Sequence, residues 1–523
     1  MEQINNKIVP DGGWGWMIVL ASFSIHFIMD GITYSMGLVY LEPMRSQLLL
    51  GRASVSTIFG ILPAVTLGAG PIATVLTNMY GCRAVAIGGS CLASFGFLLS
   101  RLWANVWFYY ITIGVMGVLC NALPIRIRRF SHPVSSEKKF ILKIESLSCL
   151  GFALMYLPAI VSVGLYFEKK RTFAMGIAVC GSGVATSVFS HIMDGIVNIH
   201  HWLSYRNALV LEAGLILLSI LAGLLMRPLP QEPSEQRRAE RKLRKEAKQK
   251  QLQSISFSQN KAESPKNNAV EVEPMFLVAT IEKSPSKSFL YQIAEQIDLN
   301  LLKNAAFALF TLSNFLASLG FNVVYNFAED LANDANVIKD QRSHILVVLG
   351  VSNILGRFAF GFLGDRKSIN RLLLFIITLT VSGLAIIAAP FCGSSVLHHI
   401  GYASCFGFFS GGYVTLTAVV LVDIVGIDKL SDGFGVLLLF VGIATAIGTP
   451  IVGAMREAFA HFTRPFFWPY FIFGGLTVLS GIILFAVPCL QPKKQSGNKV
   501  EIVCDDLYPG KDLSSKDEKQ QNV

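Results

Sequence analysis

The sequence predicts an all-α polytopic membrane protein with twelve transmembrane helices in two six-helix bundles. Three observations predict it. Hydrophobic residues make up 52 % of the 523, and charged residues only 15 %. A soluble surface carries about a quarter to a third charged residues, so a soluble enzyme and a disordered chain are both excluded. The apolar runs are about 20 residues long, the length that crosses a bilayer as a helix; barrel strands are about half that and alternate. A hydrophilic stretch, residues 228–303, divides the runs into two groups.

The elements follow in order. Residues 1–13 form a polar tail on the cytoplasmic side. Apolar stretches then cover 14–36, 55–78, 84–102, 172–195 and 206–227. The linker 228–303 opens with PLPQEP and is rich in Ser, Lys, Gln and Glu, the composition of a segment that buries no core. Its run 237–250 holds eight Lys/Arg and two Glu. In a soluble protein such a run suggests nucleic acid. Directly after an apolar span it reads as a cytoplasmic anchor, and nucleic acid is not a partner. The second group covers 304–327, 343–364, 370–390, 396–423, 433–456 and 466–490, before a tail at 491–523. Lys and Arg concentrate in the linker and tail, which places both termini in the cytoplasm and the bilayer around the spans. The nine Cys form no CxxC or CxxH pair, so neither a metal site nor a disulfide framework is indicated. No cofactor motif and no HExxH, GxSxG or P-loop pattern occurs, so the chain does not read as an enzyme.

The twelfth span should come from 105–165, where the pattern breaks. The segment 121–145 carries Arg126, Arg128, Arg129, Lys138, Lys139 and Lys143. Each such charge at mid-bilayer costs about 2.5–3.5 kcal/mol, and six cost on the order of 15–20 kcal/mol. This segment does not cross. Joining Val118 to Leu150 restores one continuous apolar helix, so 119–149 reads as an insertion within the fourth span, from splicing or from gene prediction. An isoform that does not transport, or that regulates, is the alternative function this insertion raises.

Two stretches carry a family resemblance. DGGWGW opens the first span with Asp11, Gly12, Gly13, Trp14 and Trp16. YFEKKRTFAMG enters the fifth with Tyr166, Phe167, Lys169, Arg171 and Gly176. Together they resemble the two signatures of the monocarboxylate transporter family within the major facilitator superfamily. LMRPL at 225–229 and the stretch 421–453 fit as well. The resemblance implies the major facilitator fold and alternating-access transport of a small organic acid across the plasma membrane, often with a proton. Some members of that family need a single-span immunoglobulin-type chaperone, which makes such a chaperone a candidate partner. Read as residues alone, Trp14 and Trp16 suit a membrane interface, as helix anchors or as substrate contacts. The glycines suit close helix crossings.

Ionisable groups within spans point to function. Arg357 lies mid-span, and its planar fork matches a carboxylate in two parallel hydrogen bonds. The resemblance makes it the substrate-binding Arg; a structural pair with an acid such as Asp423 is the alternative. Lactate-type members carry an Asp one turn before this Arg, where this chain has Asn353, and a first-helix Lys, where it has Tyr34. Neither Asn nor Tyr is a normal proton carrier, so facilitated diffusion stands as the alternative to proton symport. His26 and Asp30 share one helix face and form a relay, or bond each other or a neighbouring helix. Asp423 is a candidate gating residue. Asn322, Tyr325 and Asn326 give the seventh span a polar face, lining the cavity or its outer mouth; Asn326 joins the candidate site. Arg83, after the second span, and Asp365 and Arg366, after the eighth, resemble the superfamily's inner-loop motif. A carboxylate there braces a helix end in one conformation and releases it in another.

Overall fold

The computed structural model describes residues 10–48, 62–102, 147–229 (except 190, 191, 194, 200–202 and 204), 232, 235, 236 and 299–490 (except 460 and 463). The basic segment 121–145 and most of the linker lie outside the described residues. Among those described there is no strand.

Before the linker the helices are α1 (Gly15–Leu48), α2 (Leu62–Gly68), α3 (Gly70–Tyr80), α4 (Cys82–Leu102), α5 (Leu147–Tyr166), α6 (Arg171–Val184) and α7 (Tyr205–Leu225). After it come α8 (Ala305–Asp334), α9 (Lys339–Gly364), α10 (Arg371–Ala388), α11 (Val396–Val425), α12 (Leu430–Ala458) and α13 (Phe467–Ile483). Ten helices among the described residues are long and apolar enough to cross a membrane. α2 and α3 make an eleventh span, bent by 48°. The bend has a local cause. Pro71 lacks the N–H that would bond back to Leu67, so the ladder is interrupted there. α6 continues as a π-helical turn, Ala185–Phe189, within the stretch 172–195.

Helix ends carry their own stop and start signals. Asn304 and Asn370 cap α8 and α10, each side chain accepting two backbone N–H groups. Gly81 and Gly426 turn the chain after α3 and α11 at φ of +91° and +85°, where a Cβ would be strained. α5 begins at Leu147, so its first turn comes from the end of the stretch read as an insertion. It reaches 20 residues from that start.

The helices pack in two groups, one on each side of the linker. α5 packs on α4 and α6 on α1 in the first; α11 packs on α9 and α13 on α10 in the second. The two most extensive crossings between the groups are α6 against α9, and α3 against α12. The first needs small residues. A Cβ on Gly176 would lie 2.8 Å from the carbonyl oxygen of Arg357, and Gly361 faces Gly176 across the same crossing. These crossings place Arg357 against the first group.

Candidate substrate-binding site

On the linker face the three motif stretches meet. The Asp11 carboxylate accepts the backbone N–H groups of Glu168 and Lys169 at 2.8 and 2.9 Å, and the Asp11 N–H donates to the carbonyl of Tyr166 at 3.1 Å. Asp11 sits at φ +47°, a region that Asp tolerates better than most residues. Gly13, at φ +55°, continues the turn. Trp14 donates its indole N–H to the carbonyl of Leu225 at 2.9 Å, and the Arg227 guanidinium lies 3.6 Å above its ring. Trp16 packs edge-on to Phe167 with centroids 5.1 Å apart. The Tyr166 hydroxyl donates to the carbonyl of Arg227. Arg171, buried, donates from Nε to the carbonyls of Phe167 and Gly164. These residues knot α1, α5, α6 and α7 together; they do not line the central site.

Two contacts cross between the groups on this face. Asp365 accepts the N–H groups of Thr172 and Phe173, both at 2.9 Å, at the start of α6. A carboxylate there satisfies two helix-end donors and faces the positive end of the helix dipole. On the other side, the Asn78 amide donates to Asp432 at 2.7 Å and the Thr74 hydroxyl to the carbonyl of Ser431 at 2.9 Å. Each latch thus sets one group's helix end against the other.

The central site is built around Arg357, which is 4 % exposed. Its Nη1 donates to the carbonyl of Val179, and its Nη2 to the Ser182 hydroxyl at 3.3 Å, both on α6. Its Nε is buried without a partner among the described residues. Asp30, on α1, lies near Ser182 and in the electrostatic field of Arg357. Ser182 therefore stands beside both the acid and the base. The Asn353 amide donates to Ser410 Oγ at 2.9 Å, the carbonyl of Gly407 at 3.3 Å and the Tyr325 hydroxyl at 3.2 Å. Tyr34 stacks on Tyr325 with centroids 6.1 Å apart, α1 against α8. The result is one charged fork with an unused donor, a carboxylate, and a stacked pair of tyrosines, supplied from both sides of the linker. That arrangement can grip a small anion between the groups.

Comparison with known proteins shows what the chain is similar to. Residues 310–503 match the model of the Major Facilitator Superfamily. The chain is 25 % identical to Monocarboxylate transporter 12 of Mus musculus over 489 residues, covering 93 % of this chain and 88 % of that one. It is 25 % identical to Monocarboxylate transporter 9 of Gallus gallus, covering 92 % and 94 %, and to Monocarboxylate transporter 1 of Bos taurus, covering 91 % and 85 %. The chain is thus similar over most of its length to monocarboxylate transporters, and its second half matches the Major Facilitator Superfamily. It is a multi-pass membrane carrier and not an enzyme, and its fold is the major facilitator fold.

Within this carrier the candidate residues fall into place unevenly. Arg357, Asn353 and Tyr34 lie together, with Asp30 beside them. Asn326 does not join them. One residue along a helix is a turn of about 100°, so Asn326 faces away from Tyr325 and donates instead to Thr449 at 3.3 Å. Asn322, one turn earlier on that face, donates to Thr445. Asp423 is not a partner of Arg357. It sits twelve residues beyond Gly411, which packs on Asn353, and twelve residues of helix span about 18 Å. Its carboxylate meets Arg371 at 3.2 Å. His26 and Asp30 do not bond each other. The His26 Nδ1 donates to the carbonyl of Ser22 at 2.7 Å and its ring packs on Tyr156. Gly12 lies in the turn before α1, and Lys169 is exposed in the turn before α6. Arg83 is exposed after α3, and Arg366 lies over the Phe362 ring at 4.5 Å. The sequence reading missed Ser182. Its only signal was a hydroxyl between Gly181 and Gly183 in an apolar helix.

Proposed function

We propose that this carrier moves small monocarboxylates, or closely related organic solutes, by alternating access between two six-helix bundles, 14–227 and 304–490. One observation carries this reading: Arg357 is buried at the crossing of the bundles with its Nε unpaired. A buried guanidinium with a free donor is costly unless a ligand completes it. A carboxylate bound to its side edge would take Nε and Nη2 together. The relatives named as monocarboxylate transporters support the same substrate class.

Tyr34 and Tyr325 would flank the bound acid, and Asn353 would hold Tyr325 in place. Asp30, beside Ser182, would hold the fork when no substrate is present and yield it to the incoming carboxylate. Asn353 and Tyr34 stand where lactate-type members carry proton-handling groups. The carrier therefore runs down the substrate gradient without obligatory proton symport. It works in the plasma membrane with both termini cytoplasmic, and a single-span immunoglobulin-type chaperone is the partner that brings it there. Helix α5 reaches 20 residues from Leu147, which supports a transport-competent protein despite the basic stretch before it.

The test is an uptake panel in cells expressing the carrier, over lactate, pyruvate, ketone bodies, amino acids and betaine-like solutes at two external pH values. Uptake of carboxylates at a pH-independent rate supports the reading. A rate that rises steeply with external acidity contradicts the uncoupled mechanism, and uptake confined to cationic solutes contradicts the substrate class.

A further inference from the structure

A second cavity lies on the linker face, apart from the central site. It has a volume of about 700 Å³ and is lined by the ends of α9 and α11, the start of α10, and Lys169 from the turn before α6. Arg357 is seven residues up α9 from Gly364 at its rim, about 10 Å away. Four cations face the space, Lys169, Arg366, Lys367 and Arg371, against two carboxylates, Asp365 and Asp423. Asp365 is committed to the N–H groups of α6, and Asp423 to Arg371. Lys169 and Lys367 are exposed and have no ion pair among the described residues. The positive charge is thus left over, and it comes from both bundles.

One wall is apolar, formed by Leu372, Ile424 and Pro488. Phe362 and Leu373, on the two helices that flank the cavity, are 53 % and 46 % exposed. A cationic floor beside an apolar flank matches an amphipathic anion. The space is too large for one small carboxylate, and the separated ammonium and guanidinium groups suit a group carrying several acceptor oxygens and more than one charge.

We propose that this cavity is a binding site for a phosphate-bearing headgroup, that of an acidic phospholipid or the same group free in solution. A phosphomonoester carries about −1.5 to −2 charges and three strong acceptors. Basic pockets between helix ends on a membrane's inner side take such headgroups. Lys169 belongs to the first bundle and the other cations to the second. A headgroup bound to both holds the bundles together where Asp365 meets α6. Occupancy therefore favours the arrangement in which the linker face is closed.

The test uses the full-length protein in phosphatidylcholine nanodiscs. It is titrated with a short-chain phosphatidylinositol bisphosphate and, in a second arm, with inositol trisphosphate. The expected result is saturable one-to-one binding, weakened about 25-fold by Lys169→Gln with Lys367→Gln, at about fivefold for each cation. Binding of the lipid alone assigns the site to a membrane headgroup; equal binding of both assigns it to the soluble phosphate. The basic run 237–250 attracts acidic lipid diffusely, and insensitivity to the two substitutions would reveal that origin. No saturable binding in either arm, or a loss smaller than about threefold in the double variant, overturns the proposal.

Discussion

Asp365 on the second bundle accepts the backbone N–H of Thr172 on the first at 2.9 Å, and that of Phe173 beside it. A side chain from one half thereby finishes a helix of the other. In the proposed alternating-access cycle, opening the linker face breaks this bond, so it contributes to one state and not to the other. Helix capping is worth about 0.5–2 kcal/mol. Asp365→Ala should therefore speed hydrogen exchange in the first turn of α6, residues 171–175, by about 2- to 30-fold. Unchanged exchange in that turn would mean the bond does not hold the halves.

The Asp11 carboxylate is predicted to matter for stability rather than for substrate. It accepts two N–H groups of the α5–α6 turn, each bond to a charged acceptor worth about 1.5–3 kcal/mol when unshared with water. Asp11 is partly exposed, so the net loss in Asp11→Ala should be about 1–3 kcal/mol. Thermal unfolding in detergent checks this: the midpoint should fall while the KM of the surviving protein stays put.

Tyr325 and Asn326 are adjacent in sequence and should behave differently. Tyr325→Phe removes the hydroxyl that Asn353 donates to, a bond of about 1 kcal/mol. It should raise the KM for the carried acid several-fold. Asn326→Ala, which loses only the contact to Thr449, should leave uptake within about twofold of wild type. Kinetics of the two variants side by side distinguish them.

Gly176 should tolerate no branched side chain. A Cβ there falls 2.8 Å from the Arg357 carbonyl oxygen, and overpacking of a tight contact costs about 1–3 kcal/mol. Gly176→Val should push α6 from α9, displace Val179 and Ser182 from the Arg357 fork, and lower both transport and thermal stability.

Much of this was readable in the chain. Apolar runs of bilayer length give the helices, because in lipid the backbone must satisfy itself. Arg357 stood out because a charge in such a run has few structural excuses. The motif stretches were visible, but not that Asp11 would reach Glu168 and Lys169, a contact spanning more than 150 positions that no local pattern encodes. Polarity marks a face only to within one residue, so it points to Asn326 as readily as to Tyr325; the crossing with α12 rather than composition decides which side chain turns inward. Asp423 looked like an intramembrane acid because it follows VVLV in the sequence; its distance along α11 puts it at the membrane edge with Arg371. Ser182 escaped notice because a single hydroxyl in a helix is ordinarily bonded to its own backbone.

The central claim is that Arg357 receives the carboxylate of the transported acid. Arg357→Ala, expressed in cells, should reach the surface at near wild-type abundance. Its uptake of labelled monocarboxylate should fall about 100-fold, the equivalent of about 3 kcal/mol from two charge-assisted hydrogen bonds. Undiminished uptake in that variant at equal surface abundance would contradict the account.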